Sequence, residues 1–326
     1  MPRWLRILLK SSLTLGGMTA LVMAVDPAVL LDSLQQARGL WLAAAVLLLP
    51  LNLFLDGWVW TLLLKTLDGS FSSRTIGKAV MSGLALGFWT PARLGEYAGR
   101  AFAFPDADQW AISLTVFVQR MVDMVIGVIV GLATVIGAMG MGLLPSSLPW
   151  LAAAGIGLGT GGGLLAVLLN PAWGHRWAQG LLPNSRLTER TALLERLTTR
   201  QGLAVGLGSL VRYLVFTGQF VCLGLALQPS ASVGALAIAV SLTFYAKYLL
   251  PSLTLLDLGI REGAAVFFFS LVGLGTAAGL NAALLLFTIN VLVPALLGLP
   301  FVARLPLPSA SDDATTRRCS VLPESG

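Results

Sequence analysis

Eight ionisable residues interrupt stretches of this 326-residue chain that are otherwise apolar. A charge in apolar surroundings costs several kcal/mol unless it is paired or hydrated. Arg120 and Asp123 are three residues apart and Asp257 and Arg261 four, so each pair can share one helix face. These charges either form structural ion pairs or line a polar pathway, and their number favours the pathway. The four cations and four anions are Arg120, Arg212, Lys247, Arg261, Asp56, Asp123, Asp257 and Glu262.

Two segments, 90–96 and 251–262, each combine a proline with arginine, glutamate and a Leu-Gly pair. Each follows a short apolar run, at 76–90 and at 233–250 respectively. This order predicts a half-helix, a break at the proline and the start of a new helix. The alternative is a pair of proline-kinked helices without a ligand.

The predicted new helices carry residues suited to their first turns. Thr90 is predicted as an N-cap with Pro91 in the first helical position. After Pro251, Thr254 and Asp257 have the spacing of a capping box.

A helix N-terminus carries unpaired N–H groups and a partial positive charge, which attract anions. Arg93 and Arg261 would add planar, bidentate donors to the two helix starts. Together these groups predict a site for a phosphate or a carboxylate.

The composition indicates which kind of structure positions these residues. Hydrophobic residues make up 56% of the chain and charged residues 11%, and the mean hydropathy is +0.83. Soluble proteins carry roughly 25% charged residues, so the chain is predicted to be an integral membrane protein. Apolar runs long enough to span a membrane lie at 7–25, 40–64, 110–139, 148–169, 202–226 and 278–302.

The distribution of Lys and Arg predicts the topology. If 76–90 and 233–250 are half-passes, sixteen cations lie on one side and only Arg38 on the other. The positive-inside rule then places both termini in the cytoplasm, with Arg93 and Arg100 at a cytoplasmic turn. The two half-passes enter from opposite sides, as in an inverted repeat. The fold prediction is therefore an all-α polytopic membrane protein with about six spanning helices and two re-entrant half-helices.

The polar segments outside the spans are predicted to be cytoplasmic. They are a basic loop at 170–201 and a disordered tail at 304–326. Cytoplasmic cations near anionic lipids account for the sequence pI of about 9.8, so no nucleic-acid partner is expected. With His175 as the single histidine and the two cysteines far apart, neither a metal site nor a cofactor is expected.

The motifs together resemble the lysylphosphatidylglycerol synthase transmembrane-region family, also called flippase-like membrane proteins. The resemblance covers about residues 5–303 and rests on the segments 90–96, 119–123, 251–262 and 294–299. Gln119 departs from it because the family commonly has an acidic residue there, and 252–256 replaces a turn rich in proline and glycine.

The resemblance implies a membrane domain, at 1–303, that in multidomain members moves an aminoacylated lipid between leaflets. Those members also carry a soluble aminoacyl-transferase domain, which 326 residues do not include. The chain is therefore not expected to synthesise lysyl-lipid.

The leading hypothesis is translocation of an anionic phospholipid or lipid-linked substrate across the cell (inner) membrane. Arg93, Arg261 and Arg212 would bind the headgroup, and the residues that balance or gate them would be Glu96, Arg120, Asp123, Asp257 and Glu262.

Two alternatives remain open. One is a membrane-embedded lipid or glycosyl transferase with Glu96 or Glu262 as a base, although no catalytic motif is present. The other is a non-catalytic membrane protein that binds a partner through the basic loop at 175–201.

Overall fold

The computed structural model of the chain describes residues 26–67, 71–144, 147–169, 198–250 and 259–305, together with Thr19 and Met23. These residues form helices and connecting turns, without a strand among them. The helices are α1 (Pro27–Gln35), α2 (Gly39–Leu64), α3 (Ser73–Trp89), α4 (Leu94–Ala101), α5 (Gln109–Gly140), α6 (Leu148–Leu169), α7 (Thr199–Leu227), α8 (Val233–Leu249), α9 (Ile260–Leu271), α10 (Thr276–Phe287) and α11 (Val293–Val302).

Four of the described helical segments are long and apolar enough to cross a membrane. They are Gly39–Leu64, Gln109–Gly140, Arg200–Leu227 and Thr276–Val302. The last one joins α10 and α11 through a π-helical turn. Each of these segments coincides with a predicted span.

The other two predicted spans have different outcomes. The run at 148–169 forms α6 but is not among the four candidates. The run at 7–25 lies, apart from Thr19 and Met23, outside the described residues, as do most of the predicted loop at 170–201 and nearly all of the predicted tail.

One order of elements occurs twice along the chain: a long helix, a pair of shorter helices, and a second long helix. The first set is α2, α3, α4 and α5, and the second is α7, α8, α9 and the α10–α11 segment. Helices α3 and α8 each have 17 residues, and α8 begins 160 positions after α3. The same interval separates the starts of α2 and α7, and it separates Pro91 from Pro251. This regular spacing indicates an internal repeat.

Glycines hold α3 and α4 together as a tight helical hairpin. Each helix has two glycines four residues apart, Gly83 and Gly87 in α3 and Gly95 and Gly99 in α4. A Cβ on Gly99 would lie 2.8 Å from the Cα of Gly83, so the backbones are in direct contact. The Ser82 hydroxyl spans this contact and donates a 2.9 Å hydrogen bond to the Gly99 carbonyl.

The turn of this hairpin differs from the prediction. Ala92 and Arg93 have positive φ angles of 52° and 56°, and α4 begins only at Leu94. Residues with left-handed backbone conformations interrupt a right-handed α-helix, so an α-helix cannot begin at Pro91 and continue through Ala92 and Arg93. Thr90 is therefore not the N-cap of the new helix, and Pro91 is not in its first position.

Thr90 nevertheless stabilises the start of α4 from across the turn. Its hydroxyl accepts a 2.6 Å hydrogen bond from the Gly95 N–H and donates a 3.1 Å bond to the Leu86 carbonyl. One side chain thus joins the last turn of α3 to the first turn of α4.

In the second hairpin, which α8 and α9 form, Gly259 precedes α9 with a φ of 109°. The Glu262 carboxylate accepts a 2.7 Å hydrogen bond from the Gly259 N–H and so caps the helix start. Pro251, Thr254 and Asp257, and with them the predicted capping box, lie outside the described residues.

One apolar core joins the two sets of repeated elements, the first and second halves of the repeat. It contains Phe220 of the second half together with Ala45 and Val128 of the first half. A further core around Trp60 and Ile112 lies within the first half. Helices α2 and α7 pack along each other and join the two halves.

We expect Gly99→Ala to destabilise the protein by about 1–3 kcal/mol, because the added methyl group overpacks a backbone contact. Thermal unfolding of the purified protein in detergent would show a lower midpoint. Gly206→Ala in α7 is the control, since no atom lies within 4 Å of its added Cβ. Equal midpoints for the two variants would contradict the close approach of α3 and α4.

Candidate functional site

Asp56 lies at the centre of a cluster of buried charges. It is 2% exposed on α2, and three arginines bind its carboxylate. Arg100 donates to Oδ2 at 2.5 Å, and Arg120 and Arg212 each lie 3.2 Å from Oδ1. These arginines come from α4, α5 and α7, so one carboxylate connects four helices and both halves of the repeat.

Glu96 is the second carboxylate of the cluster and projects from α4. Its Oε1 accepts hydrogen bonds from Arg100 at 2.8 Å and from Arg120. Arg93, in the turn before α4, has its Nε 3.6 Å from Oε2.

Asp123 is the third carboxylate and lies one helical turn after Arg120 on α5. Its Oδ2 accepts from Arg120 at 3.1 Å, at the spacing that predicted a shared helix face, and from Arg212 at 2.6 Å. We call Asp56, Glu96, Asp123 and the four arginines around them the charge cluster; those arginines are Arg93, Arg100, Arg120 and Arg212.

The neutral side chain of Gln119 lies against the charge cluster and bonds two of its members. Its amide nitrogen donates to the Asp56 carbonyl at 2.9 Å, and its amide oxygen accepts from Arg100 at 3.2 Å. At this position the family resemblance leads one to expect an acidic residue. Gln119 makes the hydrogen bonds but adds no negative charge.

Arg100 lies buried in the charge cluster, whereas the sequence predicts it at a turn. It was assigned to a cytoplasmic turn, but its side chain is 0% exposed and lies 4.8 Å from the ring centroid of Trp60. A count of charges along the chain shows only that Arg100 follows a turn. In the structure, the close packing of α3 and α4 at their glycines places the Arg100 side chain between α2 and α5.

In the second hairpin Arg261 pairs with its neighbour Glu262. The Arg261 Nε and Nη2 atoms lie 3.1 and 2.5 Å from Glu262 Oε1, and the guanidinium lies over the ring of Phe287 at 5.7 Å. The predicted partner, Asp257, is outside the described residues.

A cavity of about 230 Å³ lies between the two hairpins, and we call it the first cavity. Its apolar wall includes Leu53, Leu84, Phe88 and Phe287. Asp56 is the one acid among its described lining residues. The five cations that line it are Arg93, Arg120, Arg212, Lys247 and Arg261.

The charges of the charge cluster do not balance. Its four arginines face three carboxylates, which leaves a surplus of one positive charge. Since Asp56 is already shared by three arginines, this surplus favours an anionic ligand.

The structure thus brings together Arg93, Arg212 and Arg261, the three predicted headgroup ligands, at one cavity. Glu96 and Asp123 engage these arginines or their neighbours, while Glu262 pairs with Arg261.

A chain of polar residues that begins at the cavity with Asn52 and Asn290 was not predicted. Asn52 donates to Asn290 at 2.9 Å, Asn290 donates to Gln219 at 2.9 Å, and Gln219 donates to the Ala45 carbonyl at 2.7 Å. Asn290 lies in the π-helical turn, a feature often found at functional sites. The sequence does contain a signal that could have identified these residues, namely side-chain amides within apolar spans.

Four helices that could cross a membrane, arranged around buried charges, define an integral, multi-pass membrane protein. The sequence model of the family described as "Lysylphosphatidylglycerol synthase TM region" matches residues 7–298. The chain belongs to this family. No curated protein and no solved structure matches it significantly.

Arg100→Gln should destabilise the protein by about 3 kcal/mol, near the lower end for breaking a buried ion pair, because Asp56 keeps Arg120 and Arg212. Denaturant or thermal unfolding in detergent would measure the loss. The same change at Arg74, which is exposed at the start of α3, should have little effect. If both variants unfold alike, Arg100 is not a structural centre of the cluster.

Proposed function

We propose that this protein moves an anionic phospholipid or lipid-linked anion between the leaflets of the cell membrane. The observation that carries the proposal is that Arg93, Arg212 and Arg261 meet at the first cavity, where the charge cluster has one arginine more than it has carboxylates. These three arginines would bind the headgroup. Membership of the family is consistent with this role.

Arg93 is the cation best placed to exchange a protein partner for a ligand. Its side chain is 36% exposed, and its contact with Glu96 is the longest in the charge cluster. A guanidinium presents parallel N–H donors that match two oxygens of a phosphate. Arg93 can therefore turn toward a phosphate at little cost to the cluster.

The apolar wall of the first cavity suits the rest of an amphiphile. Phe88 and Phe287 approach within a ring-centroid distance of 6.3 Å, and Arg261 lies over Phe287. A lipid could place its phosphate among the arginines and its glycerol and first methylenes against these rings.

The internal repeat supports a mechanism of alternating access. A 17-residue helix is ~25 Å long, short of the ~30 Å hydrocarbon core. We therefore propose that the α3–α4 and α8–α9 hairpins are re-entrant and enter from opposite sides, with both termini in the cytoplasm. The first cavity, lined by the turn of one hairpin and by Lys247 of the other, would be the shared binding site.

The transferase alternative requires Glu96 or Glu262 to accept a proton. Glu96 is bound by three arginines, while Glu262 is bound by Arg261 and the Gly259 N–H. These contacts stabilise the ionised carboxylates and occupy their oxygens, so the geometry favours translocation. Most of the basic loop at 175–201 that could bind a partner lies outside the described residues.

Reconstituted vesicles containing a fluorescent phosphatidylglycerol would test the proposal through the rate at which an impermeant quencher reaches the probe. Arg93→Gln should slow translocation at least about tenfold, because a hydrogen bond to a charged group contributes about 1.5–3 kcal/mol. Arg93→Lys, which keeps the charge but loses the planar fork, should give an intermediate rate.

Arg74→Gln is the matched control and should leave the rate unchanged. All variants should first show wild-type unfolding midpoints. Equal rates for wild-type protein, Arg93→Gln and empty vesicles would overturn the proposal.

A further inference from the structure

The orientation of the Asn52 side chain is fixed by the chain of amides that begins at the first cavity. The Ala45 carbonyl can only accept a hydrogen bond, so the Gln219 amide turns its nitrogen toward it and its oxygen toward Asn290. The Asn290 nitrogen donates to this oxygen at 2.9 Å and to the Leu286 carbonyl at 3.3 Å. The Asn290 oxygen therefore accepts from the Asn52 nitrogen, and the Asn52 Oδ1 atom is left over.

This Oδ1 atom is a buried acceptor without a donor. Asn52 is 6% exposed and lines the first cavity, and no described residue donates a hydrogen bond to its Oδ1. A buried amide oxygen without a donor is costly, so the position is suited to a ligand that donates a hydrogen bond.

Three arginines of the same cavity have unused donors. The Nε atoms of Arg93, Arg120 and Arg212 are buried and have no hydrogen-bond partner among the described residues. Asn52 lies one helical turn before Asp56, whose carboxylate binds Arg120 and Arg212. Donors for an anion and one acceptor are thus close together.

The acceptor is found on only one side of these arginines. A second cavity of about 320 Å³ adjoins the first, and Arg93, Arg120 and Arg212 line both. Asn52 lines the first cavity alone. A ligand that uses both the arginines and Asn52 therefore lies in the first cavity.

We infer that the first cavity binds a phosphomonoester lipid in its singly protonated form, with phosphate oxygens on the arginines and the P–O–H group donating to Asn52 Oδ1. This inference rests on the proposed function and specifies its substrate class. A phosphodiester offers the same oxygens to the arginines, but its phosphate has no O–H group for Asn52.

The remaining polar lining favours a ligand with a single donor. Thr90 and Asn290 are the other neutral polar side chains among the described lining residues. Both already make hydrogen bonds within the protein. A headgroup with several donors would leave some of them unpaired in this cavity, whereas a singly protonated phosphomonoester has one.

The charge of this ligand also fits the site. The charge cluster has one arginine more than it has carboxylates, so a phosphate with one negative charge neutralises the surplus. A doubly ionised phosphate would exceed the surplus. It would also place a charged oxygen against Asn52 Oδ1 without a proton between them.

The test compares two fluorescent lipids with identical acyl chains in the same proteoliposomes. Phosphatidic acid is a phosphomonoester, and phosphatidylmethanol is a phosphodiester with one negative charge and no O–H group. The measured quantity is the ratio of their translocation rates at limiting lipid, each corrected for the rate in empty vesicles. At about pH 5.5, where phosphatidic acid is mostly singly ionised, it should move about tenfold faster, because phosphatidylmethanol leaves a buried acceptor unpaired.

The same ratio should fall severalfold when the pH is raised to about 8. A phosphomonoester loses its second proton near pH 6, whereas phosphatidylmethanol keeps one charge throughout. An effect of pH on the protein that slows both lipids alike cancels in the ratio. The charged residues that line the cavity around the phosphate are Asp56 on α2, Arg93 before α4, Arg120 on α5, Arg212 on α7, Lys247 on α8 and Arg261 on α9.

Asn52→Leu should lower the ratio to about one, because leucine has a branched side chain without an acceptor. Asn281→Leu on α10 is the matched control. Asn281 is also a buried amide in an apolar span, but it donates to the Leu30 carbonyl at 2.8 Å and lines neither cavity. This control should keep the wild-type ratio.

The outcomes separate this inference from the proposed function. Equal rates for the two lipids, or a ratio that does not fall with rising pH, would overturn the phosphomonoester site while leaving translocation intact. These two measurements use wild-type protein, so they decide even if Asn52→Leu does not fold. A ratio that survives Asn52→Leu, or that Asn281→Leu lowers equally, would contradict the role of Asn52. If neither lipid moves faster than in empty vesicles, the proposed function fails as well.

Discussion

The structure depends on compensating the charge of Asp56 inside an apolar helix bundle. A single buried carboxylate would be too costly, so it is shared by Arg100, Arg120 and Arg212, which come from three other helices. Each arginine in turn needs a further acid, and Glu96 and Asp123 meet that need. Because Arg212 belongs to the second half of the repeat, the requirement for pairing also fixes how the two halves meet.

This electrostatic arrangement is possible only because the first hairpin is narrow. Glycines on both helices let α3 and α4 touch backbone to backbone, and α4 can then lie close enough to α2 and α5 for Glu96 and Arg100 to reach their partners. The left-handed turn at Ala92 and Arg93 sets the direction of α4. The charge pairing in the core therefore depends on the backbone geometry of the hairpin.

Local features of the chain were predictable from the sequence, and contacts between distant segments were not. Hydropathy located four spans, the two prolines marked the ends of α3 and α8, and the spacing of Arg120 and Asp123 predicted their ion pair. Arg100 was misplaced because a count along the chain cannot show which helices pack around it. The start of α4 was misplaced because two non-glycine residues adopt left-handed conformations, which their residue types do not signal.

Gln119 shows how a structural cluster can also serve a ligand. Its amide gives Arg100 and Asp56 the hydrogen bonds that a buried site requires. A carboxylate at the same position would bind Arg100 more strongly, but it would remove the cluster's surplus of one positive charge. With the neutral amide, the cluster is stable and the arginines at the first cavity keep charge that the carboxylates of the cluster do not neutralise. The surplus thus follows from the choice of an amide over an acid at one buried position, and an anionic headgroup is the kind of ligand that would neutralise it.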